Sequence, residues 1–298
     1  MTRITPSMQD RDFLENIYRA KGRMDQAQQE ISSGKKVNNL SDDPFAAMRS
    51  SEIQANTSAN DQFLSTNDQV KSRLDITDTA LQSMISNLDN AKVLAAQALS
   101  GTTTPETRSA LAEGVDGTIK QALSDVNMQF NGSYLFAGTK TSTVPFVESP
   151  VGSGNVTYNG NNEAIYSRLD SSTVVQTNIT GQDLAQTAPS MFTTLADLKA
   201  AIQNNDTTAI NARLQDLDSI SERLNTLDAF VGNTTNLVNE IHSRLSDQDL
   251  ALKSEDSRLT DANMVESISN FNLAEQGVNA ALSAKAKVQQ VSLFDFLS

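Results

Sequence analysis

Residues 214–259 read LQDLDSISERLNTLDAFVGNTTNLVNEIHSRLSDQDLALKSEDSRL, and their spacing decides the fold. Leu214, Leu217, Ile220, Leu224, Leu227, Val231, Thr234, Val238, Ile241, Leu245, Gln248, Leu252, Glu255 and Leu259 step by three or four throughout, which places them on one stripe of an α-helix. No proline interrupts the chain after Pro189, and Gly232 is the one weak spot in this run. The stripe continues through Ala262, Val265, Ile268 and Phe271, then Val278, Ala281, Lys285 and Val288, to an apolar end at Leu293, Phe294, Phe296 and Leu297.

A second proline-free tract, residues 45–104, carries Val70, Leu74, Thr77, Leu81, Ile85, Leu88, Ala91, Ala95 and Ala98 at mostly the same steps. A helix from about 45 to 100 would be roughly 80 Å long, a rod rather than a globular-domain helix. Its start is marked by Ser41-Asp42-Asp43-Pro44, which offers cap residues followed by proline at a first helical position. It stops at Gly101-Thr102-Thr103-Thr104-Pro105, and a further helix is expected from Pro105 through Leu111, Val115, Ile119, Leu123 and Val126 to about Gln129. Nearer the start, Phe13, Ile17, Ala20, Met24, Ala27 and Ile31 alternate steps of four and three, and Gly34 can close that helix in the left-handed conformation.

Residues 132–188 differ: three of the four tyrosines and many Ser, Thr and Val residues lie there. Segments 134–136, 155–158, 164–166 and 173–175 read as short strands, with Gly152-Ser153-Gly154 and Asn159-Gly160 as turns. A lone helix cannot bury an apolar stripe, so the flanking tracts should pair. The expected fold is mainly α: an elongated antiparallel helical bundle or coiled coil built from the N- and C-terminal segments, with a small β-rich inserted domain. It divides into an N-terminal arm at 1–44, half a helical rod at 45–131, the β-rich insert at 132–188, the other half of the rod at 189–250, and a C-terminal arm at 251–298.

Lys and Arg number 23 against 36 Asp and Glu, a net charge of −13, which argues against a nucleic-acid partner. Residues 1–50 hold eight basic and seven acidic side chains, so this arm can approach its own copies with little repulsion. Cysteine is absent and His242 is the lone histidine, so neither thiolate nor histidine metal sites are expected, and no catalytic or cofactor-binding residues stand out. Asp42 and Asp43 read as helix caps, and the acidic run Asp247, Asp249, Glu255 and Asp256 as a solvated face. No run of about 18 apolar residues suggests a membrane span, so membrane insertion is not expected.

The terminal stripes have no partner beyond each other, which points to burial against neighbouring subunits. The residues expected to pack there are Phe13, Ile17, Met24 and Ile31 in the first arm. In the last they are Leu252, Leu259, Val265, Ile268, Phe271, Val278, Leu282 and Val288, with Leu293, Phe294, Phe296 and Leu297 at the end.

Five segments carry a resemblance: Arg3-Ile4-Thr5-Pro6, Ile31-Ser32-Ser33-Gly34-Lys35-Lys36-Val37, Ser41-Asp42-Asp43-Pro44, the stretch from Asn131 to Thr141, and Val291 to Leu297. With these the chain resembles the flagellin family. The resemblance implies a structural part of the bacterial flagellum, outside the cell and without enzymatic activity. The stretch from Tyr134 to Thr141, the shortness of the chain and the single Arg108 after the second helix favour the hook-filament junction over the filament itself.

The resemblance further implies terminal arms that are disordered in the monomer and form coiled coils in the inner tube of the assembly. It implies passage through a type III export channel, with a dedicated chaperone holding the C-terminal arm. Its implied partners are other copies of the chain, a hook-side junction protein and filament-side subunits. A short filament-forming flagellin is the rival reading. A glycan- or surface-binding module, with Tyr158 and Tyr166 as stacking platforms, is a third.

Overall fold

The computed structural model describes residues 6–100, 103–150 and 155–297, with side chains from 11 to 287. The chain builds α1 (Pro6–Ser33), α2 (Pro44–Ala98), α3 (Pro105–Val126), strands β1 (Gln129–Phe130), β2 (Ser133–Tyr134), β3 (Phe146–Glu148), β4 (Val156–Tyr158), β5 (Tyr166–Arg168) and β6 (Val174–Gln176), then α4 (Met191–Gln203), α5 (Thr207–Thr260) and α6 (Met264–Leu297). The helix ends follow local chemistry. Gly34 takes φ +72° and its N–H donates to the Glu30 carbonyl at 2.9 Å, closing α1. Asp43 Oδ1 accepts the N–H groups of Phe45 (3.1 Å) and Ala46 (3.0 Å), capping α2. Asp42 does a different job: its Oδ2 accepts from the N–H groups of Asn38 (3.0 Å) and Asn39 (2.7 Å) and pins the loop ahead of the helix.

The chain forms two compact units, one made of the segments up to Ala59 and from Asp247, the other of Asn60–Ser246. In the second unit α2 and α5 run antiparallel. His242 Nε2 lies 3.3 Å from Asp68 Oδ1, and Lys92 Nζ lies 2.9 Å from Asp218 Oδ1, so 24 residues forward on α2 (68 to 92) match 24 back on α5 (242 to 218).

Leu81, Met84 and Leu88 of α2, Val115 and Ile119 of α3, Leu195 and Leu198 of α4, and Leu217, Ile220 and Leu224 of α5 are buried in one core. Each such leucine contributes about 1.5–3 kcal/mol. The buried Asp125 of α3 is satisfied from α2 by Ser83 Oγ (2.9 Å) and Asn87 Nδ2 (2.8 Å), and Lys199 of α4 reaches Asp116 of α3 at 2.5 Å.

Helix α4 adds to the helical pattern expected from Leu214 onward. Asn205, at φ +52°, reverses the chain after it, and Asp206 Oδ1 accepts the Ala209 N–H at 3.0 Å to start α5. The β-rich stretch is three separate antiparallel ribbons, β1–β2, β3–β4 and β5–β6. β4, β5 and β6 fall at or beside expected strands, whereas β1 and β3 carried no signal of their own. Asn131 (φ 49°) and Gly132 (φ 76°) form the two-residue connection of the first ribbon, the left-handed pair a tight hairpin requires. The expected turn Gly152-Ser153-Gly154 lies outside the described residues.

Phe136, Phe146 and Phe192 are buried beneath the ribbons, with the Phe146 ring 5.8 Å from Phe192 and 5.0 Å from Tyr158. Three arginines fasten this region to the helices: Arg73 Nη2 donates to the Leu135 carbonyl (3.4 Å), Arg223 Nη2 to the Pro189 carbonyl (3.1 Å), and Arg244 pairs with Asp170. Burial lowers the pKa of both Arg73 and Arg223.

Burial alone would raise the pKa of Asp170. The N–H groups of Ser172 (2.7 Å) and Thr173 (2.6 Å) and the hydroxyls of both residues override it, and the pKa falls from 3.8 to about 2. A carboxyl with a depressed folded pKa stabilises the fold above its unfolded pKa and ceases to as pH falls through the folded value. Asp170→Asn is therefore expected to melt below wild type at pH 7, with a gap that narrows between pH 3.8 and about 2. Thermal melts across that range test this, and an unchanged gap at the acid end contradicts it.

Candidate assembly surface

The first unit brings both chain ends together through its main chain. The Lys36 N–H donates to the Thr260 carbonyl (2.7 Å) and the Ala262 N–H to the Gly34 carbonyl (2.8 Å), so the α1–α2 loop lies against the α5–α6 break. Side chains extend this joint: Arg49 to Glu255 (2.9 Å), Ser50 Oγ to Asp256 Oδ1 (2.5 Å) and Lys35 to Asp256 (3.8 Å). Asp249 is buried and pairs with Lys253 at 2.7 Å. The acidic run expected as a solvated face is thus partly turned inward, two of its members bonding α2.

Helix α6 starts where Asn263 Oδ1 accepts the Val265 N–H at 3.2 Å, and it runs back along α1. Ser267 Oγ donates to Glu30 Oε2 at 2.7 Å, and Lys285 Nζ sits 5.3 Å from the Phe13 ring centroid. Seventeen residues back on α1 (30 to 13) thus match 18 forward on α6 (267 to 285), an antiparallel pair. Ala20 and Ala27 are buried at the seam, and between the helices runs a groove of about 400 Å³ that Ala274 and Gly277 also line.

The sixteen residues expected to pack divide three ways. Phe13, Ile17, Met24 and Ile31 of α1, Phe271 and Val278 of α6, and Leu252 and Leu259 near the end of α5 are half-buried. Val265 (80% exposed), Ile268 and Leu282 face outward. Val288, Leu293, Phe294, Phe296 and Leu297 lie outside the described side chains. The two terminal stripes therefore cover each other only in part.

Sequence reasoning missed a second exposed set. Leu14 and Tyr18 lie on α1 off the stripe, Leu273 on α6, and Leu40, Phe45 and Met48 at the joint. Phe45 and Tyr18 are 72% and 71% exposed, unusual for aromatic side chains on one molecule. Their spacing was the available signal: 14 and 18 are four apart and 45 and 48 three apart, each pair on one helix face.

His242 meets Asp68, and among the described residues no group of three or more His, Asp or Glu is placed to hold a metal. Among them too, no helix is long and apolar enough to cross a membrane. Tyr158 cannot offer a stacking face, because its ring packs on Phe146 and its hydroxyl lies 3.0 Å from the Phe136 carbonyl and 2.8 Å from that of Asn161. Burial pushes its pKa up. Tyr166 is exposed.

Residues 6–141 match the bacterial flagellin N-terminal helical region, and residues 214–297 match the bacterial flagellin C-terminal helical region. The chain is 23% identical to flagellar hook-associated protein 3 of Salmonella typhimurium over 98% of each chain. It is 24% identical to the protein of the same name from Escherichia coli, over 89% of this chain and 90% of the relative. Among solved structures, a putative flagellar hook-associated protein from Vibrio parahaemolyticus superposes with a TM-score of 0.69 at 22% identity, covering 74% of this chain and all of that one. Bacillus cereus FlgL superposes with a TM-score of 0.59 at 25% identity, covering 69% of this chain and 99% of that one. With both flagellin helical regions matched, one at each end and together spanning more than half its length, the chain belongs to the bacterial flagellin family.

Proposed function

We propose that this chain is a structural adapter at the bacterial flagellar hook-filament junction, working by helix packing and without catalysis. The observation that carries the reading is the incompletely covered apolar surface of the α1–α6 pair, in a chain whose curated relatives are hook-associated proteins along nearly their whole length. In the assembly, the arms at 1–44 and 251–298 bury their stripes against neighbouring copies, a hook-side junction protein and filament-side subunits. The stretches 45–131 and 189–250 form the folded body, and 132–188 is an outward insert. The chain reaches its place outside the cell by type III export, with a chaperone holding the C-terminal arm.

The test is truncation of residues 1–30 or 270–298. The remaining chain is expected to keep the melting transition of its second unit and to lose incorporation into flagella. Collapse of the helical body, or normal incorporation, would contradict the reading. Purified full-length protein that grows long filaments unaided would instead make it a filament subunit.

A further inference from the structure

In the second unit the α2–α5 seam is built on a seven-residue repeat. Leu74, Leu81 and Leu88 of α2 recur at that interval and are buried, as are Leu217, Leu224 and Val231 of α5. Carried back from Leu74, the same repeat on α2 lands on Asn67 and then Asn60. Asn67 is 0% exposed, and neither its Oδ1 nor its Nδ2 has a hydrogen-bond partner among the described residues. Asn60 is 6% exposed, and its Nδ2 lacks a partner on the same terms.

The Asp68–His242 pair fixes what lies opposite. Because the helices are antiparallel, Asn67 stands level with Ser243, and Ile241 and Leu245 flank that position on the buried face of α5. An amide moved from water into such surroundings without replacement bonds disfavours the closed state. An asparagine at a coiled-coil core position likewise fixes alignment at a cost in stability. The exposed Asp68–His242 pair offsets little of this. Ser221 Oγ also lacks a partner among the described residues, but Ser221 adjoins Leu217, Ile220 and Leu224, which share a core with α3 and α4.

From this we infer that the stretch of the α2–α5 pair from Asn60 to Asn67 is a built-in weak point, which opens ahead of the rest of the second unit. Opening there would uncover Phe63 and Leu64 on α2 together with Ile241 and Leu245 of α5, and leave the core shared with α3 and α4 closed.

Hydrogen exchange on the full-length chain reads this directly. Amides of 60–68 and 241–246 are expected to exchange at least about tenfold faster than those of 81–91 and 217–227. Asn67→Leu should slow them by about tenfold and raise the Tm, because it replaces an unpaired amide with an apolar side chain of similar size. Asn60→Leu is the second variant, expected to act in the same direction. Equal protection of the two stretches in wild type would overturn the inference. So would leucine variants that both leave exchange unchanged or lower the Tm. Should the two variants differ in sign, slower exchange in Asn60→Leu supports the weak point and faster or unchanged exchange refutes it.

Discussion

Gly181→Ala is expected to lower the Tm of the second unit by about 6–12 °C. A Cβ at position 181 would stand 2.8 Å from Phe146 Cζ and 2.9 Å from the Phe136 carbonyl oxygen, and closer still to Tyr158 Cε2. None of these can withdraw cheaply. Phe136 and Phe146 are fully buried, the Gly181 N–H already donates to the Phe136 carbonyl at 2.9 Å, and the Tyr158 hydroxyl is held between two carbonyls. Overpacking of a fixed site costs about 3 kcal/mol, and for a body of this size each kcal/mol moves the Tm by about 2–4 °C. Near-UV circular dichroism of the tyrosines during a thermal melt measures it. Gly117→Ala in α3, where a Cβ would meet nothing within 4 Å, is the control and should be neutral or slightly stabilising. A Gly181→Ala protein that melts with that control would refute the close packing.

The second large effect is expected in the other unit. Ala27 is 3% exposed at the α1–α6 seam and lines its groove between Arg23, one turn back, and Glu30, nearly one turn further on, so Ala27→Asp forces a carboxylate into a mostly covered contact. An uncompensated buried charge costs roughly 3–5 kcal/mol, and even the part of that cost left beside Arg23 weighs heavily on two helices that cover each other only in part. Far-UV circular dichroism should show lost helix, while the second unit melts within about 2 °C of wild type by the scale used above, and incorporation into flagella should fail. Gln28→Asp, on an exposed position beside it, should leave all three readings unchanged. If Ala27→Asp still incorporates, the α1–α6 pairing is not what the assembly uses.

The long helices were legible because nothing in α2 or α5 competes with a three-four spacing, and because Gly34, Asp43-Pro44 and Thr104-Pro105 mark their ends with residues whose conformation or capping is local. Helix α4 was legible in principle: Met191, Leu195, Leu198 and Ile202 keep the same spacing, and Asn204-Asn205-Asp206 is a turn signal. Its stripe does not run on into that of α5, because the register restarts after the turn.

β1 could not be read, being two residues long, and β3, between Pro145 and Pro150, lacks the β-branched run that marks β4 and β6. β3 is placed partly by Asn127, whose side chain accepts from the Phe146 N–H (3.0 Å) and donates to its carbonyl (2.9 Å), as a neighbouring strand would. The apolar stripes of the candidate surface were visible, but how far they cover each other depends on the α1–α6 register. The acidic run misled because charge alone does not say what lies opposite. Likewise Asp170 owes its surroundings partly to Arg244, 74 residues away, which no local window includes.

The joint near Gly34 is latched by peptide groups, Lys36 to Thr260 and Gly34 to Ala262. Apart from Gly34, held at φ +72°, such a latch does not depend on the side chains that border it but is strict about how many residues do. One residue added or removed between Gly34 and Lys36 would pull both bonds out of step at once, so beyond the glycine the spelling there is free to drift while the letter count is not.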